Sequence, residues 1–277
     1  MRERAISAVG IAVVVIVFFL AGQPWLTFGV AALSLIAAVE VFRLLPAAGF
    51  PVTLLPGVLL PPVLVLAMGL DIVEPGWLAV YVAAVVVILA IDAFRRPEVR
   101  DGFLVWMGGS FGAVYAGMLA FLAGVLVAAP PVPDDALLGE TFLSDGQTWL
   151  LVLVLTVWSF DTFAYLSGRT FKRGRFLNHI SPNKTWSGVI GGTVAAIIVA
   201  GALVWAAGQW LPGGLALGLL VAVAGQAGDV AESMLKRTAG AKDSSNLIPG
   251  HGGILDRTDS FLFAAPVVYA YLLIVGA

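Results

Sequence analysis

Residues 225–259 read GQAGDVAESMLKRTAGAKDSSNLIPGHGGILDRTD, a dense polar block in an otherwise oily chain. On a helix, Asp229, Glu232, Ser233 and Lys236 fall at i, i+3, i+4 and i+7 and share one face. That face carries two carboxylates, a hydroxyl and an ammonium. Further on, Asp256 and Asp259 stand three apart around Arg257, and Lys242-Asp243 precedes them. Carboxylate oxygens suit Mg²⁺, which takes one or two acids plus substrate phosphates. Lys236, Arg237, Lys242 and Arg257 suit the phosphates. His251 sits in PGHGG, a glycine-rich stretch shaped to turn tightly or to approach a ligand. It is read equally as a phosphate or leaving-group contact and as a loop hydrogen-bonder. The plainer alternative for Asp229 and Glu232 is a helix end at the lipid headgroups, with Glu232 and Lys236 as an i, i+4 pair.

Two earlier stretches add to this set. In WSFDTFAYLSGR, residues 158–169, Asp161 lies inside an apolar run, and Gly168 at i+7 permits close approach to the same face. A helix-packing acid is the competing reading. In ISPNKTWSG, residues 180–188, Ser181, Lys184 and Thr185 precede an apolar run. Hydroxyls, backbone N–H groups and a lysine near a helix N-terminus form a natural anion site; a headgroup anchor is the alternative. There is no Walker pattern, no Gly-x-Ser-x-Gly elbow and no His-Glu-x-x-His. Acids for a hard cation and bases for a polyphosphate, set in a bilayer, describe phosphoryl or nucleotidyl transfer to or from a lipid.

The elements that must position these residues are membrane helices. The 277 residues are 60% hydrophobic and only 12% charged, against about 25% charged in soluble domains. The net charge of −2 offers nothing to nucleic acid, and the absence of cysteine excludes disulfides and thiolate sites. The fold class is an all-α polytopic integral membrane protein. A crossing needs ~20 apolar residues, and about nine candidates occur, at 5–21, 25–45, 52–70, 76–94, 103–129, 148–167, 187–210, 212–235 and 260–276. Prolines at 56, 61 and 62 interrupt the third. The first also resembles a signal peptide, with a retained helix favoured. With the start of the chain inside, all 15 Lys and Arg fall on the cytoplasmic side, as membrane topology favours. The loops 168–186 and 236–259 are then cytoplasmic. No linker divides the chain, so a single membrane domain, 1–277, is expected. Within it the N-terminal helices, 1–147, are weakly informative, and the segment 148–277 carries the chemistry.

At these residues the chain resembles the CDP-diacylglycerol synthases, or phosphatidate cytidylyltransferases. The signature runs Ser233, Lys236, Arg237, Lys242, Asp243, Pro249, His251, Gly252, Gly253, Asp256, Arg257, Asp259, with every fixed position filled. GDVAES, FDTFAYLSGR and SPNKTWSG are similar to the family's preceding blocks. Ser187 stands where an acid is usual and Asn246 where a lysine is frequent. The strong likeness covers about residues 155–265. It implies that CTP and phosphatidate give CDP-diacylglycerol and pyrophosphate at a cytoplasm-facing site of the inner membrane, formed by the C-terminal helices and loops. The implied catalytic residues are Asp229, Lys236, Arg237, Lys242, Asp243, His251, Asp256 and Arg257. Asp161, Ser181, Lys184, Thr185, Glu232, Ser233 and Asp259 would contact substrate. Mg²⁺ would be held by Asp229 and Asp256, with a second cation such as K⁺ compatible, and a homodimer is expected of the class. The rival readings are a CTP-dependent polyprenol-type lipid kinase and, more distant, a secondary transporter.

Overall fold

A segment in lipid must satisfy its own backbone N–H and C=O groups, so the apolar runs of this chain form helices. The computed structural model describes residues 2–72, 77–250 and 252–276. His251 lies outside the described residues. About 73% of the chain is helical, and there is no strand among the described residues. The helices are α1 (Arg2–Ala21), α2 (Trp25–Ala47), α3 (Leu54–Gly69), α4 (Trp77–Ala93), α5 (Val99–Gly117), α6 (Ala120–Val127), α7 (Asp145–Phe171), α8 (Trp186–Ala206), α9 (Leu211–Thr238) and α10 (Leu255–Val275).

Among the described residues, six segments are long and apolar enough to cross a membrane: α2, the α5–α6 stretch Val99–Val127, α7, α8, α9 and α10. Three of the nine expected spans are shorter as apolar helices, at Ala12–Ala21, Leu54–Gly69 and Trp77–Ala93. The 16 residues of α3 rise about 24 Å, against ~30 Å of hydrocarbon. The fifth expected span is broken by a turn at Met118–Leu119. Two further boundaries differ where the chemistry lies. The span expected to end at 235 continues as α9 to Thr238, taking in Lys236 and Arg237. The span expected from 260 begins as α10 at Leu255, so Asp256, Arg257 and Asp259 are helical rather than looped. Hydropathy falls where basic residues or a cluster of charges begins, but basic groups in a last turn and acids in a first turn favour the helix dipole.

The chain forms two compact units, one of residues 1–124 with 234–258 and the other of 125–233 with 259–277. In the first, Val41, Phe42, Leu45, Val65, Val85, Ala113 and Ala116 are buried. Gly57 of α3 and Gly112 of α5 both lie against the Phe42 ring, where a Cβ would overlap it. In the second, Phe160, Ala196 and Ala222 form one core cluster, and Trp149, Leu153 and Leu217 are buried. The helix α7 starts on a capping box, in which Ser144 Oγ accepts from Gln147 N and Gln147 Oε1 accepts from Ser144 N.

Close helix contact in the second unit depends on glycine. A Cβ at Gly218 would run into the backbone of Ala196 and Ile197, whereas one at Gly225 meets only ordinary contacts at 3.6 Å and beyond. Overpacking costs about 1–3 kcal/mol, while alanine for glycine in an open helix position gains about 0.5–1 kcal/mol. Gly218→Ala is therefore expected to lower the thermal unfolding midpoint of the purified protein, and Gly225→Ala to leave it unchanged or raise it.

Candidate active site

In the first unit, α9 ends on a Schellman turn. Gly240 adopts φ +68°, and the N–H groups of Gly240 and Ala241 bond the carbonyls of Arg237 and Lys236. This closing pattern is the usual one at a left-handed glycine. It fixes Lys236 just before a loop that returns to α10. The Lys236 ammonium lies 2.6 Å from Asp256 Oδ1, with side chains only 11% and 7% exposed. Asp256 Oδ2 accepts from Ser244 N, Ser244 Oγ and Gly253 N, each at 2.8 Å. Gly252 turns the chain at φ +81°, and a Cβ there would overlap the Asp256 carboxylate.

A second acid holds the same loop. Glu40 of α2 is 2% exposed. Its Oε1 accepts from Ser245 Oγ at 2.6 Å and Ile254 N at 3.1 Å. Its Oε2 accepts from Ser244 Oγ at 3.0 Å and Leu255 N at 2.7 Å. The N–H groups of Ile254 and Leu255 open α10, where a helix leaves its donors without intrahelical partners. Beside this scaffold lies a cavity of about 260 Å³, lined by Lys242, Asp243, Asn246, Arg257 and the Ile248–Gly250 turn. Arg237 is exposed and donates to Ala241 O at 2.9 Å.

In the second unit, Gly168 and Gly188 bring α7 and α8 together. A Cβ at Gly168 would press on Thr185 Oγ1 and the Gly188 backbone, the close approach expected from Gly168. Thr185 caps α8, its Oγ1 accepting from Gly188 N at 3.1 Å. Ser187 Oγ lies 3.1 Å from that hydroxyl and accepts from Arg173 N. In place of the acid usual at its position, Ser187 ties down the loop 172–185. Within that loop Phe176 N bonds Lys184 O, Ser181 N bonds Leu177 O, and Phe176 stands edge-on to Trp186 at 4.7 Å. The loop thereby delivers Lys184 Nζ to Asp229 Oδ2 of α9 at 2.7 Å. Ser233 Oγ is 3.5 Å from Asp229 Oδ1. Asp161 of α7 lies within electrostatic range of both Asp229 and Lys184. Gly228 lets the α10 backbone approach at Asp259, whose Oδ1 accepts from Ser260 N.

The expected site residues thus gather in two groups. Lys236, Lys242, Asp243, Asp256 and Arg257 belong to the first unit. Asp161, Ser181, Lys184, Thr185, Asp229, Ser233 and Asp259 belong to the second, as does Glu232, which is 1% exposed. No three His, Cys, Asp or Glu side chains form a ready metal cage among the described residues. Glu40 was not foreseen. Its signal was an acid inside an apolar span, a position that is costly unless partnered.

The cytidylyltransferase family matches residues 2–275, so the chain belongs to that family. A phosphatidate cytidylyltransferase of Brucella abortus is 37% identical over 213 residues, 71% of this chain and 72% of the relative. The chloroplastic phosphatidate cytidylyltransferase 4 of Arabidopsis thaliana is 36% identical over 300 aligned positions, covering 98% of this chain and 73% of its own. That of Synechocystis is 46% identical over 134 residues, 46% of this chain and 45% of the relative.

Removing one partner of a buried ion pair costs about 3–5 kcal/mol, because the other charge is left without an answer, whereas replacing both is often near neutral. Asp256→Leu is thus expected to destabilise the protein, and Lys236→Met added to it to recover only the part due to the unpaired ammonium, since Ser244 N and Gly253 N stay without their acceptor. Thermal unfolding of both single variants and of the double variant measures the coupling.

Proposed function

We propose that this chain transfers the cytidylyl group of CTP to phosphatidate, giving CDP-diacylglycerol and pyrophosphate. The observation that carries this reading is the polar cavity beside the Lys236–Asp256 pair, lined by Lys242 and Arg257, in a chain matched over nearly its whole length by the cytidylyltransferase family. A phosphate oxygen of phosphatidate is already anionic and needs no strong base. It bonds the α-phosphorus of CTP, and the bond from that phosphorus to the β-phosphate oxygen breaks. Pyrophosphate leaves with the electron pair, and no oxidant or further reactant is needed.

Positioning and charge neutralisation carry such reactions. Lys242 and Arg257 line the cavity and are suited to triphosphate oxygens, and Lys236 is the buried ammonium next to them in the signature. In the second unit, Lys184 with the Ser181 and Thr185 hydroxyls suits a phosphate group. Glu232, Ser233, Asp259 and Asp161 are taken as substrate contacts. Arg237, Asp243 and His251 keep catalytic roles by their place in the signature.

Mg²⁺ is the cation this donor set favours. Among the described residues, Asp256 Oδ2 accepts from three donors and Oδ1 from Lys236. Asp229 Oδ1 lies 3.5 Å from Ser233 Oγ. Asp229 and Asp256 are taken as the Mg²⁺ ligands by their place in the signature and its preceding block, and one or two carboxylates with substrate phosphates are a usual set for that ion. Bound Mg²⁺ would neutralise phosphate charge; K⁺ is a candidate for a second cation. The finer reading of the architecture is nine crossings in the inner membrane, a cytoplasmic active site and a homodimer. It is supported by the one-sided Lys and Arg distribution and, for the dimer, by the family alone.

Purified protein given phosphatidate, labelled CTP and Mg²⁺ is expected to yield labelled lipid and pyrophosphate, with ATP and GTP poor substitutes. Equal use of all nucleotides, or unlabelled lipid, would overturn the proposal. Asp229→Asn is expected to lower turnover by roughly 10–100-fold or more and to shift the Mg²⁺ dependence. Normal turnover with unchanged Mg²⁺ dependence would remove Asp229 from the site.

For topology, Asn183→Cys and Glu140→Cys are exposed reporters in the loops before α8 and before α7. An impermeant thiol reagent on intact cells is expected to label position 140 and spare 183; the reverse pattern would overturn the orientation.

A further inference from the structure

The N-terminal helices hold one acid whose contacts are all with the signature loop. Glu40 sits on α2, more than 200 residues before its partners in the chain. Its two oxygens face four donors, Ser244 Oγ, which it shares with Asp256, and Ser245 Oγ, Ile254 N and Leu255 N. A carboxylate has about four acceptor sites, so the donors match its capacity. The four donors come from both ends of the loop 244–255. One end leaves Lys242-Asp243 and the other opens α10 immediately before Asp256. Ser244 Oγ lies between two carboxylates, 3.0 Å from Glu40 Oε2 and 2.8 Å from Asp256 Oδ2. Its single proton serves one of them at a time, which couples the two acids directly.

Gly253 reports the same constraint. A Cβ there would overlap Ser244 Oγ and both Glu40 oxygens. The end of a flexible side chain can ordinarily move aside, but Glu40 is 2% exposed and any displacement breaks bonds to buried donors. The second glycine of the Gly252-Gly253 pair is thus shaped by Glu40, just as the first is shaped by Asp256. Ser244 N and Gly253 N, which also hold the Asp256 carboxylate, are backbone groups of the segment that Glu40 clamps.

We propose that Glu40 is a positioning residue for the cytidylyl-transfer site, setting the place of Asp256 and of the cavity wall at Lys242 and Arg257 by fixing both ends of the 244–255 loop to α2. The proposal rests on the cytidylyl-transfer reading for its effect on turnover. A structural staple with no bearing on catalysis is the competing explanation. Glutamine at position 40 keeps the size but turns one acceptor into a donor facing donors. Aspartate keeps both acceptors on a shorter stem.

Wild type, Glu40→Gln and Glu40→Asp, purified in one detergent, are compared by backbone hydrogen exchange and by turnover with CTP and phosphatidate. Glu40→Gln is expected to speed exchange at residues 244–255 while α3 and α5 keep their rates, and to lower kcat by roughly 10–100-fold, as loss of a partner that orients an active-site group does. Glu40→Asp is expected to recover some of both. Unchanged loop exchange, or faster loop exchange with normal turnover, would overturn the proposal. Faster exchange across every helix in both variants would overturn it in favour of the staple. If wild type makes no CDP-diacylglycerol, the functional reading fails, and loop exchange alone then decides whether Glu40 holds the loop.

Discussion

A carboxylate inside an apolar bundle is tolerated only when donors or a cation meet it. The Asp256 carboxyl is met by four groups: the Lys236 ammonium, two backbone N–H groups and the Ser244 hydroxyl. Much of the local architecture follows from assembling those four. Lys236 must stand at the end of a helix, so α9 closes on the left-handed Gly240. Ser244 and Gly253 must face each other, so the loop doubles back, with an isolated bridge between Ile248 and Gly252. The loop's own hydroxyls and the first amides of α10 then need acceptors, and Glu40 supplies them from α2. One buried charge thus recruits a second buried acid from the opposite end of the sequence.

The second unit solves the same problem with fewer parts. Asp229 meets Lys184 from a loop rather than from a neighbouring helix, and its side chain is 36% exposed, so less desolvation has to be offset. In both units an acid on a membrane helix is answered by a lysine from another segment. This arrangement is compatible with an anionic substrate. An entering phosphate brings to the lysine the kind of charge it already faces, so the ammonium exchanges one anionic neighbour for another without being left alone in a low dielectric. Paired charges of this sort hold a site ready at smaller cost than isolated ones.

Helix positions were legible because a hydrocarbon solvent imposes a single rule on every span. Their ends were less legible. Hydropathy stopped α9 at residue 235 and started α10 at 260, although the backbone continues to bond through Lys236, Arg237 and Asp256, where charges suit the helix dipole. The identities of most polar groups were also legible, since a charged residue in so oily a chain is conspicuous. Their pairings were not. Lys236 was read as a phosphate ligand and Asp256 as a metal ligand, and nothing in a 20-residue separation says that they meet. Glycines 252 and 253 were read as a turn or a ligand approach; the close approach is to two carboxylates of the protein itself. Glu40 was visible as an intramembrane acid, but its partners lie beyond the reach of any spacing argument.

The Lys236–Asp256 pair also bears on why such a cluster is kept. Burying both charges costs several kcal/mol per ion before their attraction is counted, and hydrophobic replacements of similar volume are often as stable or more so. In a bundle already rich in leucine and valine, packing offered an easy alternative at these two positions. Stability is therefore a poor reason for the pair. A loop of backbone donors and two acids, set beside a cavity edged by Lys242 and Arg257, has a different use. It places next to the cavity charges held by several hydrogen bonds each, the kind of arrangement on which electrostatic stabilisation of phosphoryl transfer depends. Fixed charge, more than bonding energy, is what the polar block adds to the chain.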